Sequence, residues 1–489
     1  MRKDRIIVGR AAALQAAETN NSKPVLERIL TAEKLKNCFE CGICTASCSM
    51  VELSESQYNP RILLEKIVLD PEAALHSNEL WFCAWCYRCY RQCPQGLRLP
   101  EILNIMRNTA MQQGNKEPWK KALRQIVNNI PLPLVTALVC FHFERAGIDT
   151  KDVLKTIEKL RTEHVERKRK SSGIHNGKVA VIGSGPAGLS VAYQLGLKGY
   201  HVTIFESMQK LGGMLTKCLP VHRLPKQVVA REIQFIKDLG VDMKIDTTIG
   251  KDLTFEGLWK KGYRAVFVSA GAHESQKLGI EGARLEGVVD AVDFLWKVNS
   301  GKKLEVGKNV TVIGGGNVAV DAAVVALHAG AKDVTILYRR SKDEMPAIPR
   351  ELEEAEKEGV KIEFQVAPKK VTGKRHVSGI ECVRTELGEP DESGRPKATS
   401  IEGSEFKRVT DMIILAIGEA PNLSFLPKEI ELNKDGTVWV NPVTMESSMP
   451  GVFAGGDVVT GSASVIEAIR AGKRAAESIE HYLKPSRRS

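Results

Sequence analysis

The 489-residue sequence has no uninterrupted apolar run of the length, about 18 residues, that a membrane-crossing helix needs. Its most apolar stretch, Ile130 to Phe143, is short and is broken by Pro131 and Pro133. The N-terminus reads MRKDRIIVGR, without an apolar core or a small-residue cleavage site, so the expectation is a soluble, cytoplasmic protein. After Cys93 only Cys140, Cys218 and Cys382 remain, and none forms a C-x2-C or C-x4-C pair. That excludes a dithiol active site in the last three hundred or so residues. Lys and Arg number 70 and Asp and Glu 59, a formal charge of +11. This permits nucleic-acid binding without demanding it. The basic stretch Arg161 to Lys178 carries no aromatic or recognition-helix pattern. It reads as a solvated helix end running into a linker.

What is present is concentrated. At roughly 150 residues per domain the length suggests about three domains. Eight of the eleven cysteines lie between 38 and 93, in two runs. Cys38, Cys41, Cys44 and Cys48 form the first; Cys83, Cys86, Cys89 and Cys93, followed by Pro94, form the second. Each has the C-x2-C-x2-C-x3-C spacing of bacterial ferredoxins. The x2 gaps let a tight loop turn three thiolates inward, and the x3 segment sends the fourth away. The expected ligand sets are therefore Cys38, Cys41, Cys44 and Cys93 for one [4Fe–4S] cluster, and Cys83, Cys86, Cys89 and Cys48 for the other. Zinc sites place two C-x2-C pairs further apart, and a disulfide framework needs an oxidising compartment; both fit less well. Between the runs, Asn59 to Leu69 predicts a short helix. Trp81, Phe82, Trp85, Tyr87 and Tyr90 crowd the second run, either shielding a cluster or simply packing a small core.

An apolar run from Lys178 leads into Gly183-x-Gly185-x-x-Gly188 and a helical pattern, and a second strand, His201 to Phe205, ends at Glu206. This is a dinucleotide-binding fingerprint in its required context. Gly183 allows the turn, Gly185 the approach of a pyrophosphate, and Gly188 the helix–strand packing. Glu206 can accept from ribose hydroxyls. A second copy follows Asn309: Gly314-x-Gly316-x-x-Ala319, with its second strand at Asp333 to Tyr338. Here Arg339 and Arg340 replace the acid, which favours a 2′-phosphate and hence NADP(H). Gly451 to Asp457, a strand ending in Gly-Asp before a helix from about Ser464, closes the first fold after the second is complete. The second is thus nested in the first.

From Lys178 to about Leu483 the sequence resembles the flavoprotein module of glutamate synthase small subunits, dihydropyrimidine dehydrogenase and the Nfn- and Stn-type transhydrogenases. The match rests on GSGPAGL, Glu206 with LGGML, HRLPK, VIGGGNVAVDAA, YRRSKDEMPA, AIGEAPN and GVFAGGDVVTGSASVIEAIRAGK. Residues up to 115 resemble the dicluster ferredoxin domain of heterodisulfide reductase C-subunits. The resemblance implies an α/β architecture of two Rossmann-like domains behind a small helical cluster domain. The boundaries expected are 1–115 for the clusters, 116–177 for a helical connector, 178–290 with 416–489 for FAD, and 291–415 for the inserted NADP(H) domain. It implies FAD contacts at Gly183, Gly185, Pro186, Ala187, Gly188, Glu206, Gly213, Met214, Arg223, Ala270, Gly271, Gly456, Asp457, Ser464 and Val465. The nucleotide contacts implied are Gly314, Gly316, Asn317, Val318, Ala319, Arg339 and Arg340. Members usually carry a cysteine-rich loop before the flavin domain. Here only Cys140 of it survives, and it reads as a buried small hydrophobe.

The cofactors carry the chemistry, so no catalytic side chain is expected, and His222 and Glu344 are given no acid–base role. The expected activity is hydride transfer between NADP(H) and FAD, with one-electron relay through two clusters. The partners expected are other redox subunits of a larger complex, among them ferredoxin or an iron–sulfur or flavin subunit, in a transhydrogenase assembly. Two alternatives stand beside it: an electron-input subunit of a glutamate synthase-like enzyme, and a non-catalytic wiring subunit.

Overall fold

The computed structural model describes residues 35, 38–55, 57–171, 177–302, 304–390 and 394–484. The first 34 positions of the expected cluster domain and the linker at 172–176 lie outside them.

The front of the chain is helical. Helix α1 (Pro60–Leu69) starts where the sequence predicts, because Asn59 caps it: its side-chain oxygen accepts from the amides of Arg61 and Ile62 at 3.1 and 3.2 Å, and Pro60 needs no partner. Leu63, Leu64 and Ile67 recur at helical spacing and are buried. Helices α2 (Leu99–Gln112), α3 (Lys116–Asn129) and α4 (Thr150–Ser171) complete this part.

Two parallel sheets follow. The first contains β1 (Lys178–Ile182), β2 (His201–Phe205), β3 (Asp242–Lys244) and β4 (Ala265–Val268), with α5 (Pro186–Leu197) and α6 (Lys226–Asp238) as crossovers. The second contains β5 (Val288–Asp290), β6 (Asn309–Ile313), β7 (Asp333–Tyr338) and β8 (Lys361–Phe364), with helices α7 (Ala291–Asn299), α8 (Asn317–His328) and α9 (Pro349–Glu358). An antiparallel group, β9 (Val366–Gly373), β10 (Val377–Pro390), β11 (Pro396–Ser400) and β12 (Phe406–Val409), precedes β13 (Met412–Leu415), which inserts between β5 and β6. Only then does β14 (Val452–Ala454) pair with β4 and complete the first sheet, followed by α10 (Val465–Leu483). The orders are β14-β4-β1-β2-β3 and β5-β13-β6-β7-β8. The second sheet therefore lies wholly within the chain of the first. Its edge strand β5 begins upstream of position 291, the boundary expected for the insertion.

The helical part shares one hydrophobic core with the first sheet, running from Leu35 to Leu483. Its anchor is Glu232 of α6, fully buried, which accepts from Arg161 of α4 at 2.6 Å and from the amides of Leu134 and Val135. Burial raises the proton affinity of Glu232, and the Arg161 guanidinium opposes that rise. Such a pair is costly to break from one side, since the partner is left charged and dry. A second tie joins Glu52 to Arg474 of α10, with the Arg474 Nε at 2.8 Å.

Candidate functional site

The two cysteine runs share a backbone signature. Two residues after the first cysteine, Glu40 and Trp85 adopt φ of 52° and 48°; two further on, Gly42 and Tyr87 adopt 76° and 56°. A left-handed Trp and Tyr are costly for L-residues and persist only where the surroundings over-determine them. Both runs thus turn at the same two places. Cys38, Cys41, Cys44 and Cys93 line one small cleft, together with Cys89. Burial raises the Cys48 thiol to about 12, and the next influences include Cys86 and Cys83 of the other run. Burial also raises Cys89, followed by Cys83, Cys86 and Cys48. Among the described residues no group of three converges as it would on a single metal ion. None of the eleven cysteines forms a disulfide.

A cavity of about 580 Å³ lies at the carboxyl edge of the first sheet. Its floor is the loop after β1. Gly183 has φ of 97°, and a Cβ there would stand 2.4 Å from the Ser269 carbonyl; a Cβ on Gly188 would stand 2.1 Å from the Gly183 carbonyl. Gly185 is different. It is extended, and a Cβ would meet nothing within 4 Å. The space in front of Gly185 is open to a pyrophosphate, with the amides of α5 behind it. Of the residues expected at the flavin, all line the cavity except Gly188, which packs behind the loop. Glu206 is buried and accepts from the Ser184 amide (3.0 Å), the Ser184 hydroxyl (2.5 Å) and the Met208 amide (2.9 Å). At the far end Ser464 and Glu467 form a reciprocal capping box at the start of α10. Burial raises Asp457 to about 7, with Glu419 and Glu467 adding to it. A donor from a bound polyol would return it to the charged form.

The cavity also collects residues not expected at the flavin. Trp85, Cys86 and Cys140 enter from the helical part, with Cys140 on a π-helical turn, Ala137–Phe141. His273 lines the wall, and its Nδ1 is buried without a hydrogen-bond partner among the described residues. That orphan atom fits a site completed by a ligand. Cys218 also lines the wall. Burial pushes its thiol up strongly, with Asp321 and Glu419 adding to the rise, so it is no ready nucleophile. Arg223 faces the cavity, but its nitrogens are held by Asp321 (2.8 Å) and Glu351 (2.7 Å) of the inserted domain. Burial works against that charge and the two carboxylates more than offset it. His222 and Glu344 do not line the cavity.

Asn317 and Val318, at the start of α8, close the opposite side of the same cavity. Gly314 stands against the Ala416 carbonyl, where a Cβ would come within 2.1 Å, whereas Gly316 faces open space and Ala319 is buried in the third position. The two arginines after β7 part company. Arg339 is exposed, while Arg340 is only 3% exposed and donates from Nε to the Pro396 carbonyl of the β10–β11 hairpin at 2.7 Å. The neighbouring Arg395 is exposed beside it, a cation the sequence pattern did not single out.

Comparisons with known proteins agree with this construction. A family model described as pyridine nucleotide-disulphide oxidoreductase matches residues 177–472, and one described as a 4Fe-4S dicluster domain matches 34–97. The chain is 40% identical over 432 residues to the NADP(+)-dependent formate dehydrogenase subunit beta of Moorella thermoacetica, covering 81% of this chain and 60% of that one. It is 34% identical to the NADPH-Fe(3+) oxidoreductase subunit beta of Geobacter sulfurreducens, covering 92% and 71%. It is 37% identical to the glutamate synthase [NADPH] small chain of Escherichia coli, covering 63% and 68%. FprA of Mycobacterium tuberculosis, solved with NADPH, shares the fold at a TM-score of 0.53 and 20% identity, over 63% of this chain and 84% of that one. Among the described residues no helix is long and apolar enough to cross a membrane. With its flavin-type fold, its nested nucleotide fold and its paired cysteine runs, the chain belongs to the pyridine nucleotide-disulphide oxidoreductase family, as an oxidoreductase using FAD, a pyridine nucleotide and [4Fe–4S] clusters.

Proposed function

We propose that the chain exchanges a hydride between NADP(H) and FAD and relays the electrons singly through two [4Fe–4S] clusters to or from a partner redox subunit or ferredoxin. When bound, flavin converts between the two-electron chemistry of nicotinamide and the one-electron chemistry of clusters. The observation that carries the reading is that one cavity is lined by Gly185 of the flavin fold, Asn317 of the nucleotide fold and Cys86 of the second cysteine run. The ligand sets Cys38, Cys41, Cys44, Cys93 and Cys83, Cys86, Cys89, Cys48 are part of the proposal, supported by the cleft and by the thiol neighbourhoods. So is the preference for NADP(H), which Arg339 would read, consistent with the names of the Moorella and Geobacter proteins. The exposure of Cys41, the burial of Cys83 and the place of Cys86 on the cavity wall support the second run as the flavin-side one and the first as the outer one. Electrons would leave by the first. Trp85 and Val139 line the cavity together with Cys86.

The partner would hold the substrate chemistry, as a formate-oxidising or metal-reducing assembly requires of its other subunits. A transhydrogenase complex, with or without bifurcation, is a finer form of the same proposal. A glutamate synthase-like input subunit is the second reading, favoured by the 37% identity to that small chain. The decisive experiment compares wild type with Cys86→Ser. Flavin bleaching by NADPH should survive, and NADPH-dependent viologen reduction should collapse. Viologen reduction at the wild-type rate would refute exit through the clusters. Glutamate formation from glutamine and 2-oxoglutarate with the co-purifying partner would favour the second reading.

A further inference from the structure

Arg107, on α2, is fully buried. Its Nε donates to the Leu80 carbonyl at 2.8 Å, its Nη1 to the Phe141 carbonyl at 3.0 Å and its Nη2 to the Cys83 carbonyl at 2.9 Å. Its guanidinium lies over the Trp81 ring at 5.5 Å. Among the described residues it makes no ion pair with a carboxylate. Arginine does not shed its proton in a protein, and a buried charge is ordinarily paired. Three carbonyl dipoles satisfy the donors but do not neutralise the charge.

We propose that Arg107 is the fixed countercharge of the flavin-side cluster, a positioning residue that holds this cluster's reduction potential up through Cys83. The inference rests on the cluster assignment proposed above. A cubane with four thiolates is net negative and gains one further negative charge on taking up an electron, with no bond or proton changing. A cation fixed in a dry interior favours the more negative form. Its bonds explain the placement. Leu80 and Cys83 flank the start of the second cysteine run, and Phe141 adjoins Cys140 on the cavity wall, so one side chain ties the cluster loop to the edge of the flavin site. Arg61, beside the first run, differs. It is about one-third exposed and lies near Glu40 and Glu65, so solvent and acids screen it.

The test is a redox titration of the intact holoprotein followed by electron paramagnetic resonance. In Arg107→Met, with iron content unchanged, the midpoint of one cluster should fall by at least a tenfold change in its reduction equilibrium constant, 59 mV for a one-electron couple. The other midpoint should stay. Arg107→Lys, which keeps the charge, should move it less. Unmoved midpoints in Arg107→Met, or an equal shift in Arg107→Lys, would overturn the proposal. Should Arg107→Met not retain iron, Arg107→Gln keeps donors for the carbonyls and drops the charge, and an unmoved midpoint there overturns it equally. A wild-type chain without two cluster signals would instead overturn the cluster assignment itself and this inference with it.

Discussion

Arg88, which sits between Cys86 and Cys89, forms an ion pair with Glu467, the third residue of α10. Glu467 also caps that helix through Ser464. One carboxylate therefore organises the helix start facing the flavin cavity and docks the second cysteine run against it. Separate removal of each function should be measurable. Arg88→Met should cost about 1 kcal/mol, the scale of a partly exposed pair. Glu467→Ala should cost about 2 kcal/mol, since it also loses a cap worth about 1 kcal/mol. A double-mutant cycle by denaturant unfolding should return a coupling of about 1 kcal/mol. Strict additivity would mean the pair is idle.

The dinucleotide loop offers a sharper separation of folding from binding. Gly188→Ala drives a methyl into the Gly183 carbonyl and should yield little folded protein. In Gly185→Val the added Cβ meets no heavy atom within 4 Å beyond its chain neighbours and demands no unusual φ. It should leave the melting temperature of the flavin-free chain unchanged. Flavin affinity should fall by at least about tenfold, or about 1.4 kcal/mol. Full flavin content in Gly185→Val would show that the pyrophosphate does not approach there.

Arg339 and Arg340 should behave differently despite their adjacency. Arg339→Ala should weaken NADPH binding by about tenfold to a hundredfold, the equivalent of about 1.5–3 kcal/mol for bonds to a charged group, and spare NADH. Arg340→Met should instead lower stability by about 1–3 kcal/mol, because the Pro396 carbonyl loses its donor. Titration calorimetry with both nucleotides and thermal unfolding would separate them. Loss of discrimination confined to the Arg340 variant would reverse the assignment.

Asp457 gives a pH dependence with a definite sign. Its folded-state value, about 7, lies above its ordinary 3.8. Between these values the folded chain holds the proton more than the unfolded chain does. Stability must therefore fall as pH rises from about 4 to about 7, and stay level beyond. In flavin-stripped protein, Asp457→Asn should be relatively more stable at pH 8 than at pH 4. A wild-type minus variant difference that is flat across this window would place the carboxylate in contact with water.

The cysteine runs and glycine loops were legible because their chemistry is local: spacing alone sets where a thiol points or where a backbone may turn. The nesting was legible too, from the late Gly-Asp strand. Arg107 was not, because its acceptors Leu80, Cys83 and Phe141 come from other segments and carbonyls have no sequence signature. Nor was the divergence of Arg339 and Arg340, which depends on a hairpin that returns at Pro396. His273 carried no periodic signal either. In the sequence Trp85 is one aromatic among several, and its left-handed backbone is a property of the folded loop.

The interleaving of the two sheets sets an order of manufacture. A chain emerging from the ribosome starts the flavin fold first, yet can finish the nucleotide fold once Leu415 is out. The flavin fold must wait for Ala454 and then for α10, which supplies Glu467 to Arg88 and Arg474 to Glu52. Throughout that interval the cysteine-rich segment lacks the ties that α10 gives it. Closure of the flavin fold and docking of the second cysteine run on α10 are thus close to the same event.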